Sequence, residues 1–200
     1  MTLDRLRPVA ERALRPFVAG AVRIGLTPNA ISVIALGLAV AAAMAFAVGR
    51  PAWYLIGAVL VFANGWLDIL DGAVARELSR SSRAGDLVDH VLDRYADVAL
   101  VAGLAAGIDA WALGLAAVTG VLLTSYLGTQ AEAVGLDRVY GGLLGRADRL
   151  ALIGIAAAVG GLSDVAVAGF GPIWWLLVLL ATVGHLTAVQ RFIAAFRALS

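Results

Sequence analysis

Apolar residues run along this chain in long, nearly unbroken stretches rather than in the short amphipathic rhythm of a soluble globule. A helix that crosses a bilayer needs about 20 mostly apolar residues. Six stretches come near that length: Ala30 to Val48, Ala52 to Leu70, Leu87 to Gly107, Ala110 to Ala131, Leu150 to Val167 and Pro172 to Phe196. Short connectors at Arg50-Pro51, Ile108-Asp109 and Gly169-Phe170-Gly171 alternate with longer ones at 72–86 and 132–149. The pattern predicts an all-α polytopic membrane protein, with six transmembrane helices in one domain over residues 30–200. Residues 1–29 are set apart as an interfacial helix and its connector. There, Leu3, Leu6, Ala10, Leu14, Phe17 and Ala21 recur at three-to-four spacing, with Arg5, Arg7, Arg12 and Arg15 elsewhere. That predicts an amphipathic helix over Thr2 to Arg23, bent at Pro16; a disordered basic arm is the alternative. No cleavable signal segment is expected, because five Arg interrupt these residues.

Composition agrees. The chain of 200 residues is 62% hydrophobic and 14% charged, with a mean hydropathy of +0.92. A soluble domain is roughly half apolar and about a quarter charged. Disorder and nucleic-acid binding are disfavoured with it, and no nucleic-acid partner is expected. The chain has no Cys, which excludes thiolate metal sites, disulfides and a Cys nucleophile. Net charge is only +1, but its distribution is lopsided. Fourteen of the 15 Arg fall on the side of the N-terminus, the 72–86 and 132–149 loops and the C-terminus; Arg50 alone falls on the other. By the positive-inside rule both termini are expected in the cytoplasm of a cell-membrane protein.

Acidic residues lie where a membrane protein disfavours them. Asp68 and Asp71 end the second stretch; Asp86, Asp89, Asp93 and Asp97 begin the third. A carboxylate at membrane depth costs about 2.5–3.5 kcal/mol even on lenient scales. Asp68 and Asp71 share one helix face at i, i+3, and Asp89 and Asp93 share one at i, i+4. The linker Gly72 to Gly85 sets these helices side by side, so four carboxylates converge near the cytoplasmic interface. Unneutralised, they would repel one another. Oxygen-only ligands point to two divalent ions, Mg²⁺ or Mn²⁺, rather than zinc. Metal pairs of that kind suit phosphoryl or phosphodiester displacement. A salt-bridge network with Arg76, Arg80, Arg83 and Arg94 is the alternative.

The spacing reads Asp68-x2-Asp71-Gly72-x2-Ala75-Arg76, then eight residues, then Gly85-x3-Asp89-x3-Asp93. It resembles the CDP-alcohol phosphotransferase family motif D-x2-D-G-x2-A-R-x8-12-G-x3-D-x3-D at every fixed position. The likeness extends to Thr27-Pro28-Asn29 before the first span. It implies transfer of a phosphatidyl-type group, diacyl or ether, from a CDP-activated lipid to a small alcohol, with release of CMP. It further implies Asp68, Asp71 and Asp89 as metal ligands, and Asp93 as general base with contact to a second metal. Thr27, Asn29, Asp68, Asp71, Gly72, Ala75, Arg76 and Gly85 would then hold CDP, and the protein would be a homodimer. Gly72 is expected to turn the backbone, Gly85 to start the third helix, and Asp86 and Asp97 to pair with Arg94.

Arg146, Arg149 and Arg191 are expected to face the same cavity, and such a cluster suits a phosphorylated acceptor. That is similar to the inositol-phosphate-using branch of the family. The stretch Leu127-Gly128-Thr129-Gln130 carries no base where that branch usually has one, so glycerol phosphate is the alternative acceptor. Membrane anchoring is the plainer reading of Arg146 and Arg149, and snorkelling that of Arg191. His90 and His185 are expected to be structural, His185 as a satisfied buried group. Two rival classes are an intramembrane prenyltransferase and an ion-coupled transporter. The first lacks a second Asp-rich motif, and the second would need an internal repeat, which is not seen.

Overall fold

A computed structural model describes residues 7–78, 82–136 and 144–200, with side chains from residue 14 onward. Leu3 and Leu6 of the expected amphipathic stripe, and Arg80 of the salt-bridge alternative, lie outside the described residues. Among those described there are seven helices: α1 (Arg7–Arg23), α2 (Pro28–Ala47), α3 (Pro51–Glu77), α4 (Arg83–Gly107), α5 (Trp111–Ala133), α6 (Arg146–Leu162) and α7 (Pro172–Leu199).

The protein is all-α and crosses the membrane several times. Four helices, α2, α3, α5 and α7, are long and apolar enough to span by composition. Of the six expected spans, α4 and α6 fall outside this set for a physical reason. The first turns of α4 are crowded with Asp86, Asp89, Asp93, Arg94 and Asp97, and α6 has only 17 residues. Large apolar side chains such as Val59, Leu115 and Leu162 face outward, exposed by two thirds or more, as a lipid-facing surface requires.

Helix boundaries follow local chemistry. Thr27 caps α2, accepting from the Ala30 amide at 3.3 Å, with Pro28 at the first helical position. Arg50 is extended and Pro51 starts α3. The second expected span was to stop at Leu70, but α3 runs on to Glu77. Asp71, Gly72, Ala75 and Arg76 are therefore helical, and Gly72 does not turn the chain. Ser82 caps α4, its hydroxyl accepting from the Gly85 amide at 3.0 Å, so Gly85 is the third helical residue rather than the first. α1 continues through Pro16. Its buried face is Leu14, Val18 and Ala21, seated on Ile31, Leu70 and Val74, while Phe17 turns outward and meets Trp66 edge-on at 5.3 Å.

The core joins α2, α3 and α4 around Phe46, Val61, Leu100 and Leu104, all essentially buried. Gly103 permits that packing: a Cβ there would sit 2.6 Å from the Ala43 Cα. α5 crosses α7 as closely, since a Cβ on Gly184 would lie 2.7 Å from the Gly120 carbonyl carbon. Thr124 bridges this crossing, donating to the carbonyls of Gly120 and Gly184, each at 2.9 Å. The starts of α2, α4 and α6 and the ends of α3, α5 and α7 thus share one end of the bundle. The site lies there.

Candidate active site

Asp68 and Asp71 leave α3 on one face, as their i, i+3 spacing requires, and Asp89 leaves α4 opposite them. One carboxylate oxygen from each of the three lies within 4.8 Å of the others. Asp71 is buried and accepts from the Ser32 hydroxyl at 2.9 Å. Ser32 comes from α2 and was not expected; it stands one turn past Pro28, and nothing in its own neighbourhood marks it. Three hard oxygens this close fit a divalent cation.

Asp93 is not part of this trio. It meets the Arg146 guanidinium at 2.8 Å, and Arg146 also pairs with Asp68. Arg94 lies 3.7 Å from both Asp93 and Asp97. Arg149 donates to Asp97 at 2.9 Å, with both side chains buried. Asp97 therefore supports two guanidiniums, as expected for Arg94 and unexpectedly for Arg149. Asp86 does not pair with Arg94; it points outward and faces His90 one turn on, at 3.6 Å. Among the described residues, Arg83 and Arg76 make no ion pair within 4.0 Å with the motif carboxylates.

Two cavities flank the carboxylates. The smaller, about 160 Å³, is lined by Asn29, Asp71, Gly72, Ala75, Gly85 and Asp89. That brings together most of the residues expected at a CDP site. Thr27, Asp68 and Arg76 do not line it: the Thr27 hydroxyl caps α2, and Asp68 pairs with Arg146. Arg76 is exposed, its guanidinium 3.5 Å from where a Cβ on Gly72 would lie. A Cβ on Gly85 would come within 3.3 Å of the Asn29 amide oxygen.

The larger cavity, about 580 Å³, is lined by Asp93, Arg94, Ser125, Arg146, Arg149 and Arg191 among others. The three Arg expected at an acceptor site do share one space. Arg191 donates to the Thr124 carbonyl at 2.6 Å, and Arg94 to the Ser125 hydroxyl. Arg94 as a cavity residue was missed, though its place next to Asp93 in sequence is a usable signal. His90 also lines this space. His185 is satisfied by the Ala116 carbonyl at 3.2 Å, but it is exposed rather than buried, because it lies on the outer side of the α5–α7 crossing.

In sequence and in fold the chain is similar to known proteins. The family model for CDP-alcohol phosphatidyltransferase matches residues 25–159. An archaetidylinositol phosphate synthase of Methanothermobacter thermautotrophicus is 32% identical, over 98% of this chain and 95% of its own. A phosphatidylinositol phosphate synthase of Mycolicibacterium smegmatis is 36% identical, over 88% of this chain and 81% of its own. The crystal structure of the Mycobacterium tuberculosis phosphatidylinositol phosphate synthase with CDP-DAG bound is similar at a TM-score of 0.80 and 30% identity, covering 92% of this chain and 94% of that one. The same enzyme in complex with manganese and citrate matches at a TM-score of 0.81 and 30% identity, covering 92% of this chain and 88% of that one. The chain belongs to the CDP-alcohol phosphatidyltransferase family, and is a membrane enzyme of that kind.

Proposed function

We propose that this enzyme transfers the phosphatidyl-type group of a CDP-activated lipid to the hydroxyl of inositol 1-phosphate and releases CMP. The observation that carries this reading is the position of Asp93. It lines the arginine-rich larger cavity, and Arg146 joins it to Asp68 of the carboxylate trio. The names of the relatives above support the acceptor.

Asp68, Asp71, Asp89 and Asp93 would hold two divalent ions, Mg²⁺ or Mn²⁺. When bound, such ions offset the charge of the diphosphate and of the departing CMP. Asn29, Gly72, Ala75 and Gly85 admit the nucleotide, with Thr27 holding the start of α2 in place and Arg76 reaching the diphosphate. Arg146, Arg149 and Arg191 hold the acceptor phosphate, for which a guanidinium fork is the apt partner. Asp93 takes the proton of the acceptor hydroxyl. The hydroxyl oxygen bonds to the lipid-side phosphorus as the bond to CMP breaks.

α4 and α6 complete six spans in this reading. Seventeen residues of α6 extend roughly 25 Å, a few ångströms short of the ~30 Å hydrocarbon core. The Arg-rich end with the site faces the cytoplasm, and two copies form a homodimer.

The test is release of labelled CMP from CDP-lipid by purified protein with Mg²⁺ or Mn²⁺ and a panel of alcohols. Inositol 1-phosphate alone should support it. Release with glycerol 3-phosphate instead would replace the acceptor, and release with none would refute the reading. Asp93→Asn should lose turnover while still binding CDP-lipid.

A further inference from the structure

Arg146 serves two carboxylates at once. It is the first residue of α6, and its guanidinium lies between Asp68 of α3 and Asp93 of α4. Its side chain is only 14% exposed, and its Nε is buried with no hydrogen-bond partner among the described residues. The same side chain lines the larger cavity with Arg149 and Arg191. Arg149 differs, being tied to Asp97, outside the carboxylate trio.

The guanidinium therefore takes up oxygens that a divalent cation also needs. Asp68 belongs to the trio, and both carboxylates are in the proposed ligand set. One carboxylate oxygen cannot fully serve two cations, so whatever draws Arg146 away favours metal binding. A phosphate in the larger cavity does that, because it offers the fork a doubly charged partner and the unused Nε a further acceptor. We propose that Arg146 couples the two sites: acceptor phosphate draws its guanidinium off Asp68 and Asp93, and thereby tightens divalent-cation binding. By linkage, the cation tightens acceptor binding by the same factor. This rests on the acceptor reading above, and adds to it an energetic coupling between the two sites.

The experiment titrates Mn²⁺ into the full-length protein in lipid nanodiscs, reading free ion by electron paramagnetic resonance. Titrations are run alone, with saturating inositol 1-phosphate, and with saturating inorganic phosphate. Wild type should bind Mn²⁺ about five- to tenfold more tightly with either anion, the lower part of the usual coupling range. Arg146→Gln should bind Mn²⁺ more tightly than wild type in buffer alone, and gain less than about twofold from the anions. Arg191→Gln should need more anion but reach the full gain. Wild-type affinity that ignores saturating anion overturns the proposal without any variant. So does an undiminished gain in Arg146→Gln, which would mean that the anion acts directly on the cation. Should Arg146→Gln fail to fold, Arg146→Lys replaces it, with a reduced gain expected. If wild type releases CMP with inositol 1-phosphate yet shows no coupling, this inference alone falls. If no phosphorylated alcohol supports release, the acceptor reading falls and this inference with it.

Discussion

The buried pair of Asp97 and Arg149 separates a structural role for arginine from a binding one. Asp97 is 4% exposed and Arg149 7%, and they meet at 2.9 Å. Arg94 leans on the same carboxylate from 3.7 Å. Removing one partner of a buried ion pair costs about 3–5 kcal/mol, because it leaves a charge uncompensated. Arg149 also lines the larger cavity, where water can reach part of it, so the lower end, about 3 kcal/mol, applies to Asp97→Asn. For a chain of this size that is a fall in melting temperature of roughly 6–12 °C. The partner double variant, Asp97→Leu with Arg149→Met, removes both charges and keeps the volume. It should recover most of the lost stability, since apolar replacement of a buried pair is often neutral or better. It should not recover acceptor binding, because the cavity has lost a guanidinium. The assays are thermal unfolding in nanodiscs and the acceptor KM. Asp97→Asn that melts with wild type, or a double variant that melts lower than the single, would refute the reasoning.

Three further outcomes test other parts of the structure. Gly103→Val should lower the melting temperature by more than Asp97→Asn, because the new Cβ would press on the Ala43 backbone at 2.6 and 2.8 Å, which cannot move aside as a side chain does. Asp71→Asn should weaken Mn²⁺ binding at least about tenfold, a loss of roughly 1.4 kcal/mol, with little change in melting temperature; equilibrium dialysis measures the first and unfolding the second. Arg191→Ala should raise the acceptor KM much more than that of the CDP-lipid in steady-state kinetics, whereas equal effects would make Arg191 a structural residue.

Periodicity and hydropathy located each helix of the bundle, because apolar stretches of this length have few other uses. They did not locate the helix ends at the site. α3 carries Asp71 and Arg76 past its apolar stretch, and a hydropathy reading stops where the apolar residues stop. The backbone stops only where its hydrogen bonding does, after Glu77. Two of the six expected spans, α4 and α6, do not stand out by composition, for a related reason. α4 has the length to cross, but its first turns hold the charged residues of the site, so its composition is that of a helix with one end in a polar environment.

The clustering of Asp68, Asp71 and Asp89 was legible because its geometry is local: carboxylates spaced by one turn on sequential helices, with a short linker. The arginine partners were not, because their choice is tertiary. Arg146 and Arg149 are only three residues apart, yet one reaches Asp68 and Asp93 while the other reaches Asp97. On a helix, i and i+3 face the same way but stand about one turn apart along the axis. Along α4, which runs in the same direction as α6, one turn is the separation of Asp93 from Asp97. The two arginines therefore meet successive carboxylates on the facing helix, and the pairing follows from register rather than from residue type. Register also explains Ser32, which reaches Asp71 only because α2 packs along α3 at that height. A sequence states which groups must be neutralised; the packing of α2 on α3 and α4, and of α6 on α3, decides which group does it.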